Sequence, residues 1–117
     1  MAAPNIVNVT TITGKTAIQA VTTSATAIVT NSSGSNTVVK INALYVGNID
    51  GTNACDLTVD LFRSSTAYKI ASTIAVPADA TLDVISKSIY LEEGDSLRLT
   101  ASANSDLEAV CSYEIIS

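Results

Sequence analysis

The chain has 117 residues, which is enough for one domain with a hydrophobic core that needs neither a disulfide nor a metal. Six Lys and Arg against eleven Asp and Glu give a net charge of −5, which argues against nucleic acid and anionic membranes as partners. Histidine is absent, so a Ser-His-Asp triad cannot form and the commonest general base and metal ligand are missing. We therefore expect no enzyme activity, no catalytic residue and no cofactor.

The composition favours β-strands along the whole chain. Thr and Ser occur fifteen and fourteen times, and only five residues are aromatic, so Val, Ile, Leu and Ala must build the core. Side chains that branch at Cβ fit a pleated sheet better than a helix. No apolar run approaches the roughly 18–20 residues that span a bilayer. The first five residues have neither a basic nor an apolar export region, so we expect synthesis in a cytoplasm.

The first β-prone segment covers residues 4–13, and Gly14-Lys15 is expected to end it. It is predicted to be either an edge strand of its own sheet or an arm that pairs with a neighbouring molecule. This divides the chain into an N-terminal arm or edge strand (residues 1–14) and a single β-sandwich domain (residues 15–117).

Further strands are predicted over residues 16–21, 24–30 and 37–47. The third carries apolar residues on both faces, which indicates a central strand that is covered on both sides in an assembly. Strict alternation would place Tyr45 on the same face as Val39, Ile41 and Ala43, with Val38, Leu44 and Val46 on the other face.

The next strand, residues 55–62, alternates most regularly. Leu57, Val59 and Leu61 are predicted to point inward, and Asp56, Thr58 and Asp60 outward. A second alternating face follows, made of Tyr68, Ile70, Ser72 and Ile74. Pro77 interrupts the pattern, because proline cannot donate to a β-ladder.

The last part of the chain is predicted to contain short strands at residues 81–85, 89–91 and 96–100, and a longer one at residues 107–116. Glu92-Glu93-Gly94-Asp95 forms a tight acidic turn that cannot belong to the core. About eight to ten short strands with frequent turns and no amphipathic helix predict an all-β fold, an antiparallel β-sandwich of jelly-roll type.

The two cysteines, Cys55 and Cys111, share inward positions with apolar neighbours on their strands. Without an export signal, two distant cysteines are expected to be free thiols that serve as small core residues. A disulfide and a reactive thiol are the alternatives.

Carboxylates are the remaining candidates for chemistry. Paired carboxylates can hydrolyse glycosides, but Asp56 and Asp60 have the pattern of solvated charges on an outer sheet face, and Trp for stacking a sugar is absent. No metal site is predicted, and the weak candidates for binding calcium are Asp50, Asn53 and Asp56, with Asn48 close by. Their spacing matches no EF-hand loop and is typical of an ordinary turn.

Four stretches resemble small β-sandwich virion proteins of tailed bacteriophages, especially marine and cyanobacterial ones. They are residues 41–62, 74–83 and 89–100 and the closing Val-Cys-Ser-Tyr-Glu-Ile-Ile of residues 110–116. The resemblance covers residues 37–117 and implies a structural protein without catalytic residues that is commonly oligomeric.

The function that this resemblance implies first is capsid decoration. Such a decoration (cement) protein would bind the outside of the phage head and bridge subunits of the major capsid protein, as a homotrimer in the virion. The alternatives are a tail, neck or fibre component and a carbohydrate- or calcium-binding host-recognition module.

Contact with partner proteins is assigned to the predicted arm and to two tyrosines. The arm residues are expected to add a strand to an open sheet edge, either of a neighbour or of their own sheet. Tyrosine is enriched at interfaces, although both tyrosines also suit a core position. The candidate contact residues are Pro4, Asn5, Ile6, Val7, Val9, Ile12, Tyr45 and Tyr90.

Overall fold

The computed structural model describes residues 4–117, and this part of the chain contains nine β-strands and no helix. The predicted all-β sandwich is confirmed, and its topology is compatible with a jelly roll. The strands are β1 (Ile12–Ala20), β2 (Thr26–Thr30), β3 (Val38–Asn48), β4 (Cys55–Arg63), β5 (Thr66–Val76), β6 (Thr81–Asp83), β7 (Ile89–Leu91), β8 (Ser96–Ala101) and β9 (Leu107–Ile116).

The strands form two antiparallel sheets that pack face to face. Sheet A has the order β1-β9-β3, and β6 and β7 both pair with the free side of β3 at different points. Sheet B has the order β2-β8-β4-β5. β1 and β2 lie beside each other at one side of the sandwich, where the Gln19 Nε2 group donates to the Ala27 carbonyl at 2.9 Å.

The core lies between the sheets and is aliphatic, as the composition predicts. Its largest side chains are at most 1% exposed, so solvent does not reach the inner faces. They are Ile41, Leu44, Leu57, Leu91, Leu97, Leu99, Leu107, Val21, Val46, Val59 and Val76.

The predicted strand end at Gly14-Lys15 is wrong. β1 begins at Ile12, continues through both residues, and pairs with β9 over its full length without a register shift. Gly14 is tolerated there because β1 is an edge strand and no core atom lies within 4 Å of the position a Cβ would take. Residues 4–11 lie outside both sheets.

A β-bulge decides which faces of β3 are buried. β3 is central, as predicted, but its register against β9 shifts between Ile41 and Ala43. The extra residue inverts the alternation, so Leu44 and Val46 join Ile41 in the core and Tyr45 is 47% exposed. The predicted shared face of Ile41 and Tyr45 is therefore wrong.

The interpretation of Asp60 as a solvated charge is also wrong, because Asp60 is only 2% exposed. Arg98, its cross-strand neighbour on β8, donates from Nε to Asp60 Oδ1 at 2.9 Å. The Arg98 guanidinium also lies 3.9 Å from the centre of the Phe62 ring and so covers this part of the outer face. Asp56, in contrast, is exposed.

The acidic turn does contribute to the interior, which corrects the prediction for Asp95. β7 and β8 belong to different sheets, so residues 92–95 carry the chain across the sandwich. Asp95 is 1% exposed and accepts a hydrogen bond from Arg63 Nε at 2.7 Å and one from the Glu92 amide at 2.8 Å. Chiefly the hydrogen bond from Arg63 lowers the pKa of Asp95.

Both cysteines are buried free thiols, as predicted. Cys55 and Cys111 are at most 1% exposed, and burial raises the pKa of Cys111 to about 11. Such a thiol stays protonated at neutral pH, so it packs as a small hydrophobic side chain and is a poor nucleophile.

Replacing Asp60 by Ala is expected to lower the free energy of unfolding by about 3 kcal/mol, because Arg98 would lose its partner in a largely buried position. The matched control is Asp56→Ala on the same strand, which should change the value by less than about 0.5 kcal/mol. Urea denaturation of both variants measures the difference, and equal effects would contradict the structural role of Asp60.

Low pH is expected to reduce the contribution of Asp95, in the turn of residues 92–95, to the free energy of unfolding. Because Arg63 lowers the folded-state pKa, the unfolded chain takes up the Asp95 proton at a higher pH than the folded chain. The stabilisation is therefore complete above about pH 5 and is lost as the pH falls below about 4, towards the lowered pKa. Urea denaturation between pH 3 and 7 should show a smaller pH dependence for Asp95→Asn than for the wild type, and parallel curves would refute this role.

Candidate interaction surfaces

The weak candidates for a calcium site lie in and beside the loop between β3 and β4, where side-chain oxygens accept backbone hydrogen bonds. Asp50 Oδ1 accepts the amides of Thr52 at 2.8 Å and Asn53 at 3.2 Å, and these bonds, Thr52 first, lower the pKa of Asp50. Asn48 Oδ1 accepts the Asp50 amide at 2.9 Å. Asp56 lies beyond this loop on β4, where its amide donates to Ser102 Oγ. Residues 4–117 hold no group of three acidic or cysteine side chains arranged for a metal ion.

The residues before β1 form a compact turn whose apolar side chains stay partly exposed. Asn5 Oδ1 accepts the Val7 amide at 3.0 Å, and the Asn5 carbonyl accepts the Asn8 amide at 2.9 Å. Ile6 is 51% exposed and Val7 is 90% exposed. We call this segment, which is rich in β-branched residues, the arm (residues 4–11). Residues 4–9 pair with neither sheet, whereas Thr11 and Ser117 exchange two backbone hydrogen bonds beside the end of the β1–β9 ladder.

The arm rests against one end of sheet A. Pro4 and Ile6 border an open apolar depression of about 290 Å³ together with Val38 and Tyr90. At the other end of the arm, the amides of Thr10 and Thr11 donate to the Ser117 carbonyl. The structure therefore brings the predicted contact residues Pro4, Ile6 and Tyr90 together, with Tyr90 itself 43% exposed.

Tyr45 belongs to a different apolar feature, on the outer face of sheet A. Val110 on β9 is the direct cross-strand partner of both Tyr45 on β3 and Ile18 on β1. The three side chains are 42%, 47% and 80% exposed, in that order. They form a row across three neighbouring strands, which we call the sheet A ridge (Ile18, Val110 and Tyr45).

Small and acidic residues surround the sheet A ridge. The neighbouring cross-strand rows are Thr16, Ser112 and Ala43 on one side and Ala20, Glu108 and Gly47 on the other. Asp83 on β6 continues the row beyond Tyr45. Both Asp83 and Glu108 are exposed, so the ridge stands out from its surroundings and has an acidic border.

A second apolar feature lies on β5, which is an edge strand of sheet B. Tyr68, Ile70 and Ile74 of the predicted alternating face are 57%, 42% and 41% exposed, so this face of β5 lies largely in solvent. The register of β5 against β4 shifts twice, and the buried positions on β5 are Ala71 and Val76. Tyr68 and Ile74 pair with Leu61 and Leu57 but stay exposed at the margin of the sheet. We call the exposed set the β5 strip (Tyr68, Ile70 and Ile74).

The β5 strip has the opposite charge character to the sheet A ridge. Lys69 is the one charged residue in the sequence of β5, and it is exposed. The edge is also irregular, because Thr73 has a left-handed backbone conformation with φ of 46°. Bulges and lysines on an edge strand hinder continuous pairing with a further strand.

No family model and no curated protein matches the sequence. Among solved structures, a chain of the capsid of Helicobacter pylori bacteriophage KHP30 has a TM-score of 0.54 at 7% identity, covering 94% of this chain and 90% of that one. A chain of the disulfide-linked pili of Bacillus endospores has a TM-score of 0.52 at 15% identity, covering 92% and 88%. At these identities the likeness shows a shared β-sandwich fold.

A pentameric capsid protein from metagenomic phage sequences is less similar, with a TM-score of 0.42 at 16% identity over 85% of this chain and 59% of that chain.

In residues 4–117 there is no helix with the length and apolar character that a membrane crossing requires.

Proposed function

We propose that this protein is a non-enzymatic structural component of a tailed-phage virion, located on the outside of the head as a decoration (cement) protein. The observation that carries the proposal is the likeness in fold to a phage capsid chain over nearly the full length of both proteins. The resemblance of residues 37–117 to small virion proteins supports it independently.

The distribution of large apolar side chains supports a role in protein contacts. Exposed apolar groups are concentrated on the arm, the sheet A ridge and the β5 strip, three separate parts of the surface. Contiguous exposed apolar side chains on a small folded protein are typical of interaction sites. A protein that bridges subunits of a shell needs several such surfaces at once.

We propose that the arm contacts the major capsid protein by adding a strand to an open sheet edge there. Fully extended, its eight residues reach about 26 Å, which is enough to leave the parent molecule. Ile6, Val7 and Val9 would supply apolar contacts, and Pro4, Asn5 and Ile12 would flank them. The arm sequence has no charge, so nothing in it repels an approaching strand.

Tyr45 and Tyr90 are also proposed to contact partner proteins in the virion, because both are exposed and tyrosine contributes strongly at interfaces. A homotrimer is proposed as the assembled form, since three copies would match the three-fold and quasi-three-fold positions of a head lattice.

A tail, neck or fibre component is the second candidate. The likeness to a pilus chain favours it, because its TM-score is close to that of the capsid chain and a pilus is a filament of repeated subunits. The two candidates differ in where the protein lies in the particle.

Purified protein added to heads assembled without it is expected to bind them and raise their melting temperature. Cryo-electron microscopy should then show added density at three-fold or quasi-three-fold positions. Heads that neither bind the protein nor gain stability would refute decoration, and density confined to the tail of intact virions would support the second candidate.

A pair of arm variants makes this experiment specific. Val7→Asp should weaken binding to heads by at least about tenfold, because a charge would replace an apolar contact. Asn8→Asp adds the same charge at a polar position of the arm and should bind like the wild type. Equal loss of binding in both variants would contradict the proposed apolar contact.

A further inference from the structure

We propose that copies of this chain associate head to tail, with the sheet A ridge of one copy packed against the β5 strip of the next. The proposal deepens the proposed function and rests on it for the need to self-associate. The partner is a second copy of the same chain, and the two surfaces are different parts of the molecule.

The sheet A ridge has the form of a contact surface. Its three side chains lie in register across β1, β9 and β3, a span of two strand spacings or about 10 Å. Beside the ridge is an open depression of about 390 Å³, bordered by Ile18, Ala20, Glu108 and Val110. A side chain that projects from a neighbour can enter this depression and cover Ile18 and Val110.

The β5 strip supplies such projecting side chains. Tyr68 and Ile70 stand on an edge strand with no further strand beyond it in sheet B. The two register shifts and the positive φ of Thr73 interrupt the edge, so a continuous ladder between two copies of β5 is disfavoured. Side-chain packing against a flat face does not require an uninterrupted edge.

Charge selects the combination of ridge and strip. Ridge against ridge would bring two acidic borders into one contact, and strip against strip would bring two copies of Lys69 into one contact. Lys69 pairs with Asp60 and Tyr68 pairs with Leu61, so Lys69 lies on the other face of the same edge strand and borders the strip. Ridge against strip places this border near Glu108 or Asp83, and all three charged residues are exposed. Opposite charges at the rim of an apolar contact favour this pairing over the two alternatives.

The positions of the two surfaces allow each copy to use both. The ridge lies on the outer face of sheet A, whereas β5 is the edge of sheet B on the side away from β2. A contact between two different surfaces is heterologous, so it builds closed rings or open filaments. The same contact therefore suits a ring on a head lattice and a filament of a tail.

Two variants that each damage one surface test this arrangement. Ile18→Asp puts a charge in the ridge, and Ile70→Asp puts one in the strip. Native mass spectrometry and sedimentation should show an oligomer for the wild type and monomers for each variant alone. An equimolar mixture of the two variants should form dimers and nothing larger, since one intact ridge then meets one intact strip.

The alternatives give different results. A contact of ridge with ridge would leave Ile70→Asp oligomeric, and a contact of strip with strip would leave Ile18→Asp oligomeric. A monomeric wild type, or a mixture that stays monomeric, would overturn the proposal. Thr13→Asp is the control, because it adds the same charge to β1 on the opposite side of the strand and should remain oligomeric.

A charge exchange tests the rim independently. Glu108→Lys should raise the dissociation constant of the oligomer by about tenfold or more, and Lys69→Glu in the same chain should restore association. A double variant that associates no better than Glu108→Lys would refute the proposed pairing. Circular dichroism and urea unfolding establish whether each variant folds. If an Asp variant does not fold, Tyr45→Ser in the ridge and Tyr68→Ser in the strip replace the two Asp variants.

These measurements distinguish a failure of the head-to-tail contact from a failure of the proposed decoration of the head. Association is measured with the isolated protein, and head binding is measured with heads. Heads that are bound by monomers would overturn only the head-to-tail contact. Oligomers that fail to bind heads would overturn only the decoration of the head.

Discussion

The fold depends on the point where the chain passes from sheet A to sheet B. Four residues separate β7 from β8, and the buried carboxylate of Asp95 holds that crossing through Arg63 and the Glu92 amide. Asn31, at the end of β2, joins the same cluster: its amide donates to the Asp95 carbonyl and its carbonyl accepts the Gly94 amide. The ends of β2, β4 and β7 and the start of β8 are thus fixed together, which sets the alignment of the two sheets.

Strand positions could be predicted from the sequence because turns and β-branched residues are local signals. β3, β4, β8 and β9 begin and end close to the predicted residues, and the inward parity of Cys55 and Cys111 was correct. The bulge in β3 could not be predicted, because one extra residue leaves the local composition unchanged and yet moves Tyr45 out of the core. The burial of Asp60 was missed for a related reason, since its partner Arg98 is distant in sequence and adjacent only through the pairing of β4 with β8.

The candidate surfaces, too, could be predicted where local sequence identifies their residues and could not be predicted where strand pairing brings the residues together. Tyr45 and Tyr90 were identified by residue type alone, and the arm by its β-branched residues. Ile18 and Val110 were not singled out, because a row across three strands exists only in the register that pairs β1 with β9 and β9 with β3. The sequence does predict that Val110 points outward, because Val110 lies between the inward residues Ala109 and Cys111.

A core of Val, Ile, Leu and Ala can be rebuilt by many sequences, provided that inward parity and total volume are kept. This accounts for a fold shared at only 7% and 15% identity with a capsid chain and a pilus chain. The core therefore carries little information about which assembly a given chain joins. That information must lie in exposed residues whose presence the core does not require. Within residues 4–117, the arm, the sheet A ridge and the β5 strip expose apolar side chains that the packing of the core does not require.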